Sequence, residues 1–273
     1  MANELVLRPT YWANVSGGKD SLFMLNYILH NLHRYPLHGV VHFELEIDYP
    51  FIKEVIDYME EQCKKAGIVF YRIKPRLTFL ELYDKWGFPT RKARWCNSKY
   101  KLDCKAQLVE LLKQQNCKPI SYIGYCVDEV SRYQKRGIDV GEIYPLVEAG
   151  IEEDVIWEWA KSQPIFNDYY KYNRRCGCMF CPMQSMSGTA YLLKYYPKQY
   201  EEMMSLAKAT EVKRESELGR PFSVWASEEK YNSEYRDKRV REVYLPKLEE
   251  MELLFGVHEK TFEEYKPRVR KES

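Results

Sequence analysis

Ser16-Gly17-Gly18-Lys19-Asp20-Ser21 stands between two segments of different rhythm. Residues 11–15 before it are aromatic and β-branched, which suits a strand, and residues 22–32 after it are apolar with helical spacing. A strand that enters a helix through two adjacent glycines lets backbone come close to an anion. The amide N–H groups that open the helix then point their positive ends at it. The stretch therefore reads as a phosphate cradle. It is not the Gly-x-x-x-x-Gly-Lys loop of one nucleotide-binding class, nor the Gly-x-Gly-x-x-Gly loop of another. The plain alternative is a Gly-rich turn, capped by Ser16 or Asp20, that binds nothing.

Outward from this loop, strand-like runs at 39–43, 68–73 and 120–125 alternate with helical patterns at 20–32, 51–65 and 99–114. The alternation predicts an α/β fold, a doubly wound parallel sheet covered by helices on both faces. Ligands of such sheets bind at the carboxyl ends of the strands, where the strand order reverses, and the loop after the first strand would sit there. Past Tyr144 the rhythm changes. Residues 152–161 read as a short amphipathic helix, and 164–184 are rich in Tyr, Asn, Arg and Cys. From 188 onward the chain is helical and densely charged, with a break at Gly219-Arg220-Pro221. The expected organisation is a nucleotide-binding domain over 1–187, including a cysteine loop at 174–184, and a helical appendage over 188–273.

A chain of 273 residues with 45% hydrophobic content can bury a sizeable core. A formal charge of +2 gives no global field for a polyanion, so any such site must be local. The 23 tyrosines are expected to fill the core for the most part. No apolar run approaches a membrane span, and the opening Met-Ala-Asn-Glu-Leu-Val has neither the basic segment nor the apolar stretch of an export signal, so a cytoplasmic protein without a membrane partner is expected.

Eight cysteines in a reducing compartment are read as buried thiols, metal ligands or reactive groups before disulfides. Cys63, Cys104, Cys117 and Cys126 each stand alone among apolar or helical positions and are expected to be buried and inert. Cys176, Cys178 and Cys181 crowd one short loop, where neighbouring thiolates repel unless a cation holds them. Their spacing suits Zn²⁺ and an iron-sulfur cluster equally. A third reading makes Cys178 or Cys181 a persulfide carrier, its thiol pKa lowered by Arg174 and Arg175.

Several separated segments, ordered along residues 11–190, resemble the phosphoadenosine phosphosulfate (PAPS) reductase-like branch of the PP-loop ATP pyrophosphatases, in its iron-sulfur-containing form. Ser16-Gly17-Gly18-Lys19-Asp20-Ser21 is similar to that family's pyrophosphate loop. Val40-Val41-His42-Phe43-Glu44 is similar to the second strand, whose end holds the adenosine and places Phe43 beside the nucleotide. Where the family carries Asp-Thr-Gly followed by Phe-Pro, this chain has Glu44-Leu45-Glu46-Ile47-Asp48-Tyr49-Pro50. Arg94-Trp95-Cys96-Asn97-Ser98-Lys99 resembles the Arg-Trp-Cys segment. Gly124 to Arg132 resembles Gly-x-Arg-x-x-Glu-Ser-x-Arg, without its first Arg. Ile143-Tyr144-Pro145-Leu146 with Glu153-Asp154-Val155-Ile156-Trp157 matches the Tyr-Pro-Leu and Asp-Val-Trp spacing. Arg175-Cys176-Gly177-Cys178-Met179-Phe180-Cys181-Pro182 resembles the Gly-Cys-x-x-Cys-Pro signature of the iron-sulfur members.

The resemblance implies cleavage of ATP between its α and β phosphates to adenylylate an acceptor. The backbone N–H groups of Gly17, Gly18 and Lys19, the hydroxyls of Ser16 and Ser21 and the Lys19 ammonium would hold the pyrophosphate. Asp20 would be an outer ligand of Mg²⁺. Arg132, and with it Arg94 or Lys99, would neutralise phosphate or an acidic acceptor, each with a solvated surface charge as its plain alternative. Asp128 and Glu129 would position Arg132, bind metal or cap a helix. The resemblance also implies a [4Fe-4S] cluster on Cys176, Cys178, Cys181 and Cys96 in preference to Zn²⁺. It further implies sulfur transfer or modification of a nucleic acid as the acceptor, with a sulfur-donor protein as partner. A sulfonucleotide reductase is the alternative within the family. Against it, the chain has no cysteine after Cys181, and Cys96 is followed by Asn97 rather than by a second cysteine. A non-catalytic nucleotide-binding subunit is the alternative outside enzymes.

Overall fold

The computed structural model describes residues 7–134, 141–226 and 228–257. Residues 1–6, read above for an export signal, and residues 258–273 of the expected appendage lie outside them. In chain order the elements are β1 (Arg8–Val15), α1 (Lys19–His30), β2 (Gly39–Phe43), α2 (Pro50–Lys65), β3 (Val69–Ile73), α3 (Phe79–Trp86), α4 (Leu102–Gln114) and β4 (Cys117–Tyr122). There follow α5 (Val130–Tyr133), β5 (Glu142–Ile143), α6 (Pro145–Glu148), α7 (Glu153–Lys161), α8 (Tyr169–Tyr172), α9 (Met186–Tyr195), α10 (Pro197–Leu218), α11 (Ser233–Arg239) and α12 (Leu245–Val257). They group into two compact units, residues 1–79 with 96–166, and residues 80–95 with 167–273.

The first unit is built on a sheet in the order β3-β2-β1-β4-β5, with every neighbouring pair parallel. The expected α/β class is therefore observed. The chain moves outward from β1 through β2 to β3, then crosses to the other side of β1 to lay down β4. The reversal thus lies between β1 and β4, where such sheets hold their ligands. Trp12 fixes the middle of the sheet. Its indole N–H donates to Thr10 Oγ1 at 3.0 Å, and its ring stacks on Tyr71 of β3. Gly39 opens β2 opposite Trp12, and a Cβ there would stand 2.4 Å from the ring, so the strand can begin only with glycine. With Val41, Leu108, Leu112 and Cys117, Trp12 forms a core on which Phe43, Tyr71 and Ile73 pack.

Boundaries depart from the sequence reading at identifiable atoms. α1 stops at His30 because Asn31 turns its amide onto the Tyr27 carbonyl at 2.8 Å. β4 begins earlier and ends earlier than expected, since Tyr125 N–H folds back on the Ile123 carbonyl and carries the chain out of the sheet. A π-helical turn, Cys96–Lys101, precedes α4. β5 is two residues long, too short for any period to show. Cys63, Cys104, Cys117 and Cys126 are all buried as expected, and burial pushes the thiols of Cys63, Cys104 and Cys126 up to about 12.

Burial also pushes the Asp48 carboxyl, in the turn after β2, up to about 6, with Lys101 pulling the other way. Its folded pKa lies above the ordinary aspartate value of about 3.9. The stability it contributes is thus complete below that value and is lost as pH rises through about 6. Asp48→Asn is expected to raise the melting temperature at pH 8 and leave it nearly unchanged at pH 4. An equal shift at both pH values in thermal melts would contradict this reading.

In the second unit, residues 80–95 bind α10 through Tyr83 Oη to the Leu206 carbonyl and Phe88 N–H to Thr210 Oγ1 at 2.7 Å, and bind the chain after α10 through Arg91 N–H to the Val224 carbonyl. The expected break falls where α10 ends, with Gly219 in the left-handed region at φ +63°. Buried Glu211 on α10 accepts the N–H groups of Val224 and Ser233, fastening the returning chain.

Candidate functional site

The Ser16–Ser21 turn joins the carboxyl end of β1 to α1, at the reversal of strand order. Gly17 has φ +74°, a left-handed conformation natural to glycine, and a Cβ on it would lie 2.7 Å from Ile52 Cγ2. Gly18 is the N-cap of α1, and among the described residues no side chain caps that helix start. The turn is held from within. Ser21 Oγ donates to the Gly18 carbonyl at 2.9 Å and accepts the Ser16 N–H at 3.2 Å, while Gly18 N–H reaches Ser16 Oγ at 3.4 Å. The two hydroxyls assigned from sequence to a ligand thus first shape the loop.

From β2, buried His42 approaches the Val15 carbonyl at 3.0 Å through Nδ1. Burial lowers the pKa of its ring, so the neutral ring with the proton on Nδ1 donates that bond and anchors the last residue before the loop. From beyond β4, Gly124 passes so close that a Cβ would stand 3.0 Å from the Asp20 carbonyl oxygen. The two loops flanking the reversal are therefore in backbone contact.

Lys19 is buried at 3% exposure, and its ammonium lies 2.6 Å from Asp20 Oδ1 and 3.1 Å from Glu153 Oε1. It also lies 5.9 Å from the centre of the Trp157 ring. Glu153 begins α7, and its own N–H donates to Asp128 Oδ2 at 2.6 Å. Buried Glu129 pairs with Arg132, whose guanidinium also covers the Tyr125 ring at 4.6 Å. Asp128 thus caps a helix and Glu129 positions Arg132. Burial raises the Asp20 pKa; Lys19 opposes the rise, and the charges of Glu129 and Glu153 reinforce it. One ammonium sits among more carboxylates than it can neutralise.

The structure therefore brings together Ser16, Gly17, Gly18, Lys19, Asp20 and Ser21, and its electrostatics couple Arg132 to Asp20. Phe43, at the end of β2, is half-buried and packs on the core beside Trp12. Arg94 and Lys99 are exposed, the first before Trp95 in the second unit and the second on the π-helical turn of the first. Glu153 was not recognised from sequence as the partner of Lys19. Nothing local marks a carboxylate 134 positions away as a contact.

Cys96 belongs to the first unit, at the start of the π-helical turn, whereas Cys176, Cys178 and Cys181 belong to the second. All four are half-buried. The thiols of Cys176 and Cys181 both bear on the buried Tyr169 phenol, whose pKa is raised chiefly by burial and further by those two sulfurs. Among the described residues, no three His, Cys, Asp or Glu side chains converge closely enough to hold an ion. The fit to a metal centre is thus one of donor chemistry, three soft thiols on an irregular loop. Arg236 of α11 closes the exit of that loop, with Nη2 donating to the Gln184 carbonyl at 2.6 Å, to the Ser185 carbonyl at 3.2 Å and to Thr189 Oγ1. Its guanidinium lies 4.2 Å from the centre of the buried Trp225 ring. Arg236 and Trp225 thus pack on each other.

No family model matches the chain. An uncharacterized protein of Methanocaldococcus jannaschii is 25% identical over an alignment covering 75% of this chain and 50% of that one. The chain thus spans half the length of this relative. The U34-tRNA thiolase NcsA from Methanococcus maripaludis, solved with its [4Fe-4S] cluster, matches with a TM-score of 0.38 and 18% identity, covering 72% of this chain and 70% of that one. So distant a likeness assigns no activity to the chain.

Proposed function

We propose that the chain binds ATP at the Ser16–Ser21 turn and cleaves it between the α and β phosphates, adenylylating an acceptor for sulfur transfer. The carrying observation is a helix start without a side-chain cap, preceded by a glycine in the left-handed region and adjoining a buried lysine, at the reversal of a parallel sheet. Such a terminus presents backbone N–H groups and the positive end of the helix dipole to an anion.

In this reading the amides of Gly17, Gly18 and Lys19 and the Lys19 ammonium take the negative charge that builds on departing pyrophosphate. Asp20 supplies a hard oxygen for the Mg²⁺ that accompanies ATP. Arg132, tethered by Glu129, answers charge on the nucleotide or the acceptor, and Phe43 borders the adenosine. Cys96, Cys176, Cys178 and Cys181 would hold the [4Fe-4S] centre, which would supply an iron able to carry sulfur. The acceptor is a nucleic acid, and a sulfur-donor protein is the remaining partner.

Incubated with Mg²⁺, ATP and bulk tRNA, the protein is expected to release pyrophosphate and leave AMP on the acceptor or in solution. Release of inorganic phosphate with ADP would refute the reading. Nucleotide binding without pyrophosphate release would leave the chain a binding subunit. Elemental analysis after anaerobic purification is expected to find iron; zinc without iron would replace the cluster by a zinc site.

A further inference from the structure

Arg236 is a buried cation that pairs with no carboxylate among the described residues. It is 5% exposed. Glu211 is engaged by the amides of Val224 and Ser233, and Asp237 by the Tyr200 hydroxyl and Arg241. The guanidinium is left with two carbonyls, one hydroxyl and an indole face, and its buried Nε has no acceptor among the described residues. Burying a charge without a counter-ion is costly, so the protein is expected to supply an anion when complete.

Two further features add to the imbalance. The carbonyls that Arg236 grips belong to Gln184 and Ser185, and Ser185 caps the start of the ten-residue α9, where the helix dipole is positive. At the entrance of the same loop, Asn173 is 6% exposed and receives the hydroxyls of Ser185 and Ser187, while its other amide atom has no partner among the described residues. Positive charge and unspent hydrogen-bonding capacity therefore bracket the segment that carries the three cysteines. Cys181 is among the groups that electrostatically favour the charged guanidinium.

We propose that Arg236 is the counter-cation of an anionic metal-thiolate centre on the Cys176–Cys181 loop, a positioning residue that holds the loop's exit and offsets the charge of its sulfurs. This rests on the reading of that loop as a metal site, and it holds for iron-sulfur and zinc alike, because both bind as thiolates with a net negative charge. Outer-shell partners of this kind are worth about 10- to 100-fold in metal affinity.

The test uses the full chain, reduced and metal-free, titrated with Co²⁺ and read by thiolate-to-cobalt charge-transfer absorbance. Arg236→Met is expected to weaken Co²⁺ binding about 10- to 100-fold, and Arg236→Lys to recover most of it. Arg236→Gln serves as a second neutral variant should the methionine variant fail to fold, and circular dichroism checks each. Unchanged affinity in a folded neutral variant would overturn the proposal, as would the lack of any thiolate band in the unmutated protein. Iron analysis of the same preparations is read separately. Iron absent but cobalt binding sensitive to Arg236 would refute the cluster alone.

Discussion

Lys19→Ala is expected to lower ATP-dependent pyrophosphate release by about 10²- to 10³-fold, the scale on which loss of one preorganised donor to a developing anion is felt. The ammonium is almost fully buried between Asp20 and Glu153, so it is held in place before any ligand arrives. Such a group loses little freedom on meeting a phosphate, and a low-dielectric setting strengthens its attraction. The substitution also strands two carboxylates, and removing one member of a buried ion pair costs about 3–5 kcal/mol. A loss of activity could then be mere unfolding. Glu153→Gln separates the two effects, because it removes the charge of one of the two carboxylates on the ammonium while keeping the side chain's volume. The expected outcome is a folded protein that binds pyrophosphate at least as tightly as the unmutated one. Weaker binding in Glu153→Gln, with Lys19→Ala folded and active, would mean that the lysine serves only to neutralise its neighbours.

Gly17→Val is expected to remove about 2–5 kcal/mol of stability and to abolish pyrophosphate binding. A left-handed backbone costs a side-chain-bearing residue about 1–2 kcal/mol, and overpacking adds about 1–3 kcal/mol more. The overlap is with Ile52, 2.7 Å from the ideal Cβ. Combining the smaller Gly17→Ala with Ile52→Val removes the contact to Ile52 Cδ1 at 3.3 Å but leaves Cγ2 and the φ of +74° in place. That double variant is expected to regain part of the stability and little of the binding, since the amide directions depend on the backbone angle. Full recovery of binding in calorimetry would show that packing alone, and not the direction of the N–H groups, makes the site.

Much of the first unit was legible because local rules and tertiary structure agree there. Trp12, Val15, Leu22, Leu25 and Ile28 fall on the periods of a strand and a helix, and the loop between them carries its two glycines where backbone must approach backbone or ligand. The alternation of strands and helices fixed the parallel sheet, but not that Gly39 must be bare to admit the ring of Trp12. The partners of Lys19 were illegible, since Glu153 reaches it only once α7 has folded back on α1, and Asp128 sets the start of that helix. Arg236 lies in a densely charged stretch of sequence, where no local pattern marks one arginine for burial. Its burial depends on Trp225 and on the loop exit at Gln184, the latter 52 positions away along the chain. Cys176 and Cys181 were singled out by spacing, and their shared effect on Tyr169 appears only in three dimensions.

The most direct measurement is isothermal titration of inorganic pyrophosphate into the protein with Mg²⁺, followed by ATP into the saturated complex. If the amides opening α1 and the ammonium of Lys19 form a pyrophosphate cradle, pyrophosphate binds one to one, weakens ATP binding by competition, and fails to bind to folded Lys19→Ala or Gly17→Val. Pyrophosphate that does not bind, or that binds without displacing ATP and regardless of those two residues, would contradict it.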